Sequence, residues 1–425
     1  MSKSLKLRTA SFLYGLGWKA AIPFLKRSER LREGFDRRTL KHSLPPRADV
    51  WIQAASAGES RIVTRIMDAI SMDRPTRFLL TTTTSQGLSE LERTARRLTP
   101  NFRNISLACT YFPFDSPDLA RKALEAVKPK LVVLIETEIW PGFLSACKDC
   151  GVKVLIINGR MTTKSLAGYM AFDNFFRSVA PEEVLAISED DATRFRTLFE
   201  TDKIGTMPNV KFDGTITAEA LPYTANPLSS IFRPKTPFII LGSVRKEEES
   251  QVLKVVQGLK AERPKTVIGL FPRHMHRIDA WKSMLEEAGL PWVLRSEIEG
   301  NAPFGHVVLW DVFGEMDSAF PLARAAFIGG SLAPVGGQNF LEPLAHGVTA
   351  IIGPYWSNFT WVGEGIFESR MARQEKDWQS VLQALLEVSK RPMKPEKLKK
   401  DFEKYLGEMR GGTAAACAAI KRNLG

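Results

Sequence analysis

The sequence predicts an α/β protein built from two parallel sheets with helices on their faces. From residue 50 onward, short apolar runs alternate with helical patterns, which is typical of parallel strands joined by crossover helices. Four prolines interrupt the alternation once, between residues 221 and 237, and the pattern then begins again. The length of 425 residues fits two or three domains or one bilobed enzyme.

Charge is distributed unevenly along the chain. The composition, 44% apolar and 25% charged, excludes extended disorder, and the net charge is +12. The first 42 residues contain eleven basic and three acidic residues, so they supply +8 of this total. Such a local excess predicts an anionic surface as partner, either nucleic acid or lipid.

The N-terminal segment, residues 1–45, is predicted to associate with a membrane. Residues 10–25 are apolar and include Tyr14 and Trp18, but sixteen residues interrupted by Lys19 are too few to span a bilayer. An apolar aromatic stretch among cations is typical of a helix that lies in the headgroup region of an anionic membrane, and it disfavours nucleic-acid binding. The alternative is a buried N-terminal helix with a solvated basic face.

Two domains are predicted after this segment. The first covers residues 46–220, a linker covers 221–237, and the second covers 238–425, with terminal helices that could pack back on the first domain. The strands predicted for the first domain are 50–55, 77–83, 131–136, 152–157 and 183–187. Those predicted for the second are 238–243, 266–272, 306–310, 325–330 and 349–353. Such halves place a ligand in the cleft between them, at the carboxyl ends of the strands.

The four cysteines are too few for a disulfide framework and favour a reducing compartment. Cys147 and Cys150 form a C-x-x-C pair, but no second cysteine or histidine pair lies at zinc-finger spacing. We interpret the two cysteines as ordinary residues of a helix rather than as a metal or redox site.

Glu59 is a candidate catalytic base. It opens the helix that follows strand 50–55, behind the small residues Ser56 and Gly58, which let a substrate approach the backbone. The alternative role of Glu59 is that of an anion stabilised by the first helical turn.

Two carboxylates, Glu136 and Glu138, follow one another at the end of the buried strand 131–136. Because a buried charge is costly unless it is paired, we expect a cation nearby, and Lys211 is the candidate. Alternation along the chain predicts that one carboxylate faces the cleft while the other holds a loop in place.

Three loops of the second domain have features of a nucleotide site. The glycine-rich loop 329–343 follows a strand and opens a helix, so we expect it to present free N–H groups to an anion. Within it, Asn339 and Glu342 are placed to bind sugar hydroxyls. Arg273 ends another strand and suits bidentate contact with a phosphate, and residues 314–315 open a further helix. The loop has neither the dinucleotide-fold spacing nor a P-loop lysine, so its ligand species stays open.

Six short motifs span nearly the whole chain. They are SAGE at 56–59, ETEIWP at 136–141, NGRMTTKS at 158–165, NVKFD at 209–213, PRH at 272–274 and GGQNFLEP at 336–343. In order and spacing they resemble the motifs of the 3-deoxy-D-manno-octulosonic acid (Kdo) transferases, a family that acts on lipid A precursors. Each motif alone is weak, but the combination is specific.

The resemblance implies a GT-B glycosyltransferase with two Rossmann-like domains facing a central cleft. It implies an inverting, metal-independent transfer of Kdo from CMP-Kdo to a lipid A precursor (lipid IVA) in lipopolysaccharide core biosynthesis, without a cofactor. The first domain is then expected to bind the acceptor and the second CMP-Kdo. The implied location is the cytoplasmic face of the inner membrane, as a peripheral or monotopic protein.

The resemblance also implies roles for individual residues. Glu59 matches the catalytic base of the family, and Glu136 and Lys211 match residues assigned to transition-state stabilisation. The residues that match its CMP-binding segments are Pro272, Arg273, Phe313, Gly314, Glu315, Asn339, Phe340, Leu341 and Glu342. No metal ligands are implied.

The sequence departs from the family pattern on the donor side. Residues 275–277 are Met-His-Arg where the family commonly has Pro-Glu-Arg, and residues 242–245 are Gly-Ser-Val-Arg where it has Gly-Ser-Thr-His. These changes leave open a GT-B transferase with a different nucleotide sugar or acceptor. A catalytically silent membrane-bound binding protein is the other alternative, but it predicts the loss of Glu59 or Arg273, and both are present.

Overall fold

The computed structural model describes residues 5–41, 44–101, 103–214 and 223–425. The chain forms two compact units, one comprising Met1–Gly214 with Met409–Gly425 and the other Thr215–Glu408. The predicted domain boundary at residue 220, the first two residues of the predicted linker and parts of the predicted membrane segment lie outside the described residues.

The first unit contains a seven-stranded parallel sheet in the order β3-β2-β1-β4-β5-β6-β7. Its strands are β1 Val50–Ala54, β2 Thr76–Thr82, β3 Ile105–Tyr111, β4 Leu131–Ile135, β5 Lys153–Gly159, β6 Glu183–Ala186 and β7 Ile204–Thr206. All residues of β1 and β4, which lie side by side in the sheet, are buried. Burial on both faces explains why these strands read as continuous apolar runs.

Helices precede and connect the strands of this unit. They are α1 Leu5–Leu25, α2 Glu29–Arg32, α3 Phe35–Arg38, α4 Ala57–Ala69, α5 Ser85–Leu98, α6 Pro117–Val127, α7 Pro141–Asp149, α8 Thr163–Met170, α9 Asp173–Ser178 and α10 Glu189–Phe199. Two apolar clusters, one on each face of the sheet, form the core. One is formed with α4 and α5, and the other with α6, α7 and α10.

One side of α1 docks on the first unit. The hydroxyl of Tyr14 donates to Asp115 Oδ2 at 2.7 Å, and Trp18 stacks on Phe114 with ring centroids 6.0 Å apart. Lys19 Nζ lies 3.0 Å from the carboxylate of Asp118. These contacts anchor the helix through polar and aromatic groups.

Three apolar side chains in the described part of α1 are exposed to solvent. Leu13, Leu16 and Phe24 are 59%, 54% and 62% exposed. Their spacing of three and eight residues places them on one stripe of the helix. No helix in the described part of the chain is both long and apolar enough to cross a membrane.

One of the N-terminal cations is turned inward. The side chain of Arg38 is buried, donates to the carbonyl oxygen of Thr83 at 2.7 Å, and lies over the ring of Tyr111 at 4.5 Å. The charge count of the first 42 residues therefore overstates the charge that reaches the surface.

The second unit contains another seven-stranded parallel sheet, in the order β10-β11-β9-β8-β12-β13-β14. Its strands are β8 Phe238–Val244, β9 Val267–Pro272, β10 Trp292–Leu294, β11 Val307–Leu309, β12 Ala325–Ile328, β13 Ala350–Ile352 and β14 Ala372–Gln374. Its helices are α11 Glu249–Glu262, α12 Ile278–Glu287, α13 Met316–Ala319, α14 Leu341–Ala345, α15 Gly365–Glu368 and α16 Trp378–Lys390. The α/β class predicted from the sequence is confirmed.

Residues 223–237, predicted as a linker, pack against the second unit. Leu228, Ile231 and Phe232 are buried, and the ring of Phe232 lies 4.3 Å from that of Phe238 in β8. The prolines stop regular structure here, but the apolar residues between them fasten the segment.

The chain returns to the first unit at its C-terminus. Helix α17, Pro395–Met409, ends where the chain leaves the second unit, and α18, Gly412–Leu424, belongs to the first. Asp213 accepts from the backbone N–H groups of Gly411 at 2.7 Å and Thr413 at 2.5 Å. Ala416, Ala419 and Ile420 of α18 join the apolar cluster of α4 and α5.

Candidate active site

Glu59 lies in the first turn of α4, just after the carboxyl end of β1. Strand order in the first sheet reverses between β1 and β4, and open parallel sheets bind ligands outside such a switch point. Ser56 Oγ caps the helix by accepting from the N–H of Glu59 at 3.3 Å. The Glu59 carboxylate accepts from Ser56 Oγ at 3.1 Å and from the N–H of Ala55 at 2.6 Å. The S-x-x-E spacing therefore holds this carboxylate in place.

The surroundings of Glu59 favour its protonated form. Burial is the main cause, and the negative charges of Glu138 and Glu136 add to it, so the pKa of Glu59 rises to about 8. Hydrogen bonds from Ala55 and Ser56 act in the opposite direction without cancelling the rise. A carboxyl group that titrates near the working pH is suited to exchange protons with a substrate hydroxyl.

Glu136 forms an ion pair with Lys211, the cation that the sequence predicted for this cluster. Lys211 Nζ lies 2.6 Å from Glu136 Oε1, and the two side chains are 27% and 16% exposed. Lys211 lies in the turn Val210–Gly214. Asn158 Oδ1 fixes this turn by accepting from the N–H of Val210 at 2.9 Å.

The backbone of Glu136 is in the left-handed region, with φ 57°. Residues with a Cβ rarely adopt this conformation, and those that do are concentrated at functional sites. Its N–H donates to the carbonyl oxygen of Ile157 in the neighbouring strand at 3.1 Å. The strained turn ends β4 and places the Glu136 carboxylate beside Lys211.

Glu138 is held by a buried network. Its Oε2 accepts from Gln53 Nε2 at 2.9 Å and from Trp140 Nε1 at 2.8 Å, and Thr81 Oγ1 donates to Gln53 Oε1 at 2.7 Å. Burial raises the pKa of Glu138, and the bonds from Gln53 and Trp140 oppose this. Sequence reasoning missed Gln53, although a single polar residue in the apolar strand VWIQA was a signal. Glu138 thus holds the loop, while Glu136 pairs with Lys211.

In the second unit, Arg273 follows β9 and lies close to Glu342. Its N–H donates to the carbonyl oxygen of Val244 at 2.8 Å, and its side chain is exposed. Asn339 Nδ2 donates to Glu342 Oε1 at 2.9 Å. Burial raises the pKa of Glu342, whereas the bond from Asn339 and the charge of Arg273 oppose the rise. The structure therefore brings three predicted donor-site residues together, and the charge of Asp317, which sequence reasoning missed, also acts on Glu342.

Glu315 is fixed by two residues that sequence reasoning did not select. Arg295 donates two hydrogen bonds to its carboxylate, at 2.8 and 2.9 Å, and Trp310 Nε1 donates at 2.9 Å. The Trp310 ring stacks on Phe271 of β9, with centroids 4.1 Å apart. The turn that contains Glu315 is thereby linked to the strand that ends before Arg273.

The other residues predicted for the donor site fall into two groups. Phe313 is 79% exposed, and Gly314 has a positive φ of 84° with open space around it. The side chains of Pro272, Phe340 and Leu341 are buried. These three residues therefore present almost no side-chain surface to a ligand in this structure.

The first part of the glycine-rich loop does not offer the free N–H groups that the sequence predicted. The N–H groups of Gly330, Ser331 and Leu332 all donate to the carboxylate of Glu248. The N–H of Gly337 donates to the carbonyl oxygen of Gly330 at 2.6 Å. The prediction was wrong for residues 330–332, because their N–H groups already bind a carboxylate from another part of the chain.

Residues 275–277, which depart from the family pattern, make specific contacts. Arg277 binds Glu249 through two hydrogen bonds, at 3.0 and 2.5 Å. The rings of His274 and His276 stack with centroids 5.5 Å apart. Burial, followed by the charges of Arg245 and other neighbouring cations, lowers the pKa of His274. This loop is therefore rich in positive charge.

The cysteine pair belongs to α7, as the sequence predicted. Cys147 is buried within the helix, Cys150 is its exposed C-cap, and burial raises the pKa of both thiols. Among the described residues, no three or more His, Cys, Asp or Glu side chains are grouped to hold a metal ion.

Comparison with known proteins agrees with the motifs. The family model described as 3-deoxy-D-manno-octulosonic-acid transferase (kdotransferase) matches residues 26–214. A 3-deoxy-D-manno-octulosonic acid transferase from Rickettsia bellii is 31% identical over 81% of this chain and 80% of its own length. One from Bordetella pertussis is 29% identical over 92% of this chain and 91% of its own. The crystal structure of a glycosyltransferase from Rickettsia africae, 10% identical, covers 89% of this chain and 99% of its own with a TM-score of 0.55.

The two Rossmann-like units have the GT-B fold, and the family match shows that the protein is a glycosyltransferase. The extent of the sequence match makes the relationship more specific. The chain belongs to the 3-deoxy-D-manno-octulosonic acid transferase family.

Proposed function

We propose that this glycosyltransferase transfers Kdo from CMP-Kdo to a lipid A precursor, lipid IVA, in lipopolysaccharide core biosynthesis. Family membership supports the identity of the sugar. The observation that carries the mechanism is the position of Glu59 at the switch point, beside Glu138 and the Glu136–Lys211 pair. A GT-B transferase with another nucleotide sugar or acceptor is the alternative, suggested by the altered residues 275–277 and 242–245.

Glu59 is the general base of the proposed reaction. Its carboxylate takes the proton from an acceptor hydroxyl while that oxygen attacks the anomeric carbon of Kdo. The bond between the anomeric carbon and the phosphate oxygen breaks, and CMP leaves with the negative charge. A single displacement inverts the anomeric configuration, so one base is sufficient. The Glu136–Lys211 pair lies in the same cluster and stabilises the transition state.

The donor is assigned to the second unit and the acceptor to the first. Arg273 binds the phosphate and stabilises the charge that develops on it as CMP leaves. Asn339 and Glu342, which already bond to each other, present polar atoms for the hydroxyls of the nucleotide. A side chain thus supplies the positive charge that stabilises the leaving phosphate. The proposed reaction uses neither a metal ion nor a cofactor.

The enzyme is proposed to work at the cytoplasmic face of the inner membrane, as a peripheral or monotopic protein. The exposed stripe formed by Leu13, Leu16 and Phe24 on α1 supports this location, because its opposite side is already docked. The proposed acceptor is a lipid, so the active site must also have access to the membrane surface. Apolar side chains beside basic residues suit an anionic lipid surface.

The test is sugar transfer in detergent from freshly generated, radiolabelled CMP-Kdo to tetraacylated lipid A precursor, with EDTA added after donor synthesis. CMP-N-acetylneuraminate is the matched donor control, since it also joins CMP to an acidic sugar. We expect transfer from CMP-Kdo only, with unchanged rate in EDTA and inverted anomeric configuration by NMR. Absence of transfer by folded, CMP-binding protein would favour the alternative donor or acceptor. Loss of activity in EDTA would contradict metal independence.

A further inference from the structure

Glu248 is a fully buried carboxylate at the switch point of the second sheet, where β8 and β12 lie side by side. Its Oε1 accepts from the N–H groups of Arg245, at 2.9 Å, and of Gly330. Its Oε2 accepts from the N–H groups of Ser331 at 3.1 Å and Leu332 at 3.0 Å. One carboxylate therefore joins the loops that follow two adjacent strands.

Three successive N–H groups converging on one anion form a nest, the arrangement that glycine-rich loops use to bind phosphate. Gly330 has the positive φ, 66°, that lets the backbone turn in this way. The fit is close, because a Cβ on Gly329 would lie 2.5 Å from Glu248 Oε1. Here the protein supplies the anion itself.

The two loops joined by Glu248 lead to the two parts of the candidate donor site. On one side, the carbonyl oxygen of Val244, next to Arg245, accepts from the N–H of Arg273 at 2.8 Å. On the other side, Gly330 accepts from the N–H of Gly337 at 2.6 Å, shortly before Asn339. Short chains of hydrogen bonds thus connect Glu248 to Arg273 and to the segment that contains Asn339.

We propose that Glu248 is a positioning residue for donor recognition, an internal anion that fills the glycine-rich nest and fixes the spacing between Arg273 and residues 336–342. This inference rests on the proposed function, because that function assigns the donor to these segments. It implies that the donor phosphate binds at Arg273 and not in the nest, which is already occupied.

The test measures CMP binding by calorimetry in wild type, Glu248→Ala and Glu248→Gln. Glu248→Ala empties the nest and is expected to weaken CMP binding at least about tenfold, the loss of one charged hydrogen-bond partner or more. Excess formate, compared with chloride at equal ionic strength, can enter the nest and is expected to recover most of the affinity. Glu248→Gln fills the same volume with an amide, so formate is expected not to rescue it.

Asp377→Ala is the matched control. Asp377 caps α16 by accepting from the N–H of Ser380 at 2.8 Å, so its loss also removes a carboxylate from the second unit. We expect it to lower stability while leaving CMP affinity unchanged and insensitive to formate. Equal CMP affinity of wild type and Glu248→Ala, or weak binding that formate does not restore, would overturn the inference.

A measurement on the wild type covers the case in which Glu248→Ala does not fold. Addition of inorganic phosphate or CMP should leave the amide NMR signals of Gly330, Ser331 and Leu332 nearly unchanged, while signals around Arg273 shift. Large shifts confined to the three nest amides would show that the ligand displaces Glu248 and would overturn the inference. Wild type that binds no CMP would instead contradict the proposed donor, which is a separate outcome.

Discussion

Lys211 Nζ lies 2.6 Å from Glu136 Oε1, and Glu136 reaches this position only through a left-handed backbone, φ 57°. The carboxylate and the backbone conformation are separate requirements at one residue. Substitutions can separate them, because glycine adopts this conformation without strain whereas alanine adopts it only at a cost in stability.

We predict that Glu136→Gly and Glu136→Ala both lose transfer activity, by roughly 10²-fold or more, because both lack the carboxylate. The Gly variant should be more stable than the Ala variant by about 1 kcal/mol, since only alanine keeps the left-handed strain. Urea denaturation measures the difference. Lys128, exposed with φ 50°, is the matched control, and its Gly and Ala variants should show the same stability gap with normal activity. An active Glu136→Gly enzyme would exclude a catalytic role for this carboxylate.

The raised pKa of Glu59 predicts an alkaline activity profile. A base must be ionised to act, so kcat/KM should rise with pH and level off above about 8, the pKa of Glu59. Initial rates of sugar transfer across a pH series measure this. If the chemical step limits the rate and kcat/KM of wild type is constant between pH 6 and 9, Glu59 is not the base.

The same pKa predicts how Glu59 affects stability. Between its ordinary value of 4.5 and about 8, the folded protein binds the Glu59 proton more tightly than the unfolded chain. This residue therefore makes the free energy of unfolding fall as pH rises through that window. Glu59→Gln should match wild type in stability near pH 4.5 and exceed it increasingly toward pH 8. If the free energies of unfolding of wild type and Glu59→Gln differed by the same amount at every pH, the raised pKa of Glu59 would be contradicted.

His274 is expected to report donor binding. Burial and the neighbouring cations Arg245 and Arg273 lower its pKa from 6.5, and a bound phosphate should raise it again by opposing their charge. NMR titration of the ring signals with and without CMP measures the shift, with His274→Gln used for assignment. His306, a partly buried residue outside these loops, is the control and should not respond. If CMP binds without any change in the pKa of His274, the phosphate does not bind beside this residue.

The stripe on α1 is predicted to bind membranes. Replacing Leu13, Leu16 and Phe24 with serine should weaken binding to anionic phospholipid vesicles at least about tenfold, because each side chain loses apolar contact. Vesicle sedimentation measures the effect. Phe304→Ser removes an exposed aromatic residue from the second unit and should bind like wild type. Equal binding by the triple variant would exclude this stripe as the membrane contact.

The sequence predicted the central strands of both sheets but not their edges. All ten predicted strands are present, and the four that were missed, β3, β7, β10 and β14, are the four edge strands. Central strands are buried on both faces and read as apolar runs, whereas the edge strands are partly exposed and three of them have only three residues. Periodicity carries little signal for such strands.

The candidate site was also only partly predictable from the sequence. Motif order selected Glu59, Glu136, Lys211 and Arg273, since each follows a strand or lies in a distinctive short motif. Contacts between residues distant in sequence were not predictable, and Glu248 is the clearest case. Its role depends on β8 lying next to β12, which only the sheet order reveals.

The most direct test of Glu59 as the base compares Kdo transfer by wild type and Glu59→Gln, with CMP affinity measured on the same preparations. Glutamine keeps the size of the side chain and one oxygen that can accept from the N–H of Ala55, but it cannot take a proton. We predict at least about 10²-fold slower transfer with unchanged CMP affinity. Transfer by Glu59→Gln at a rate within a few-fold of wild type would contradict the account.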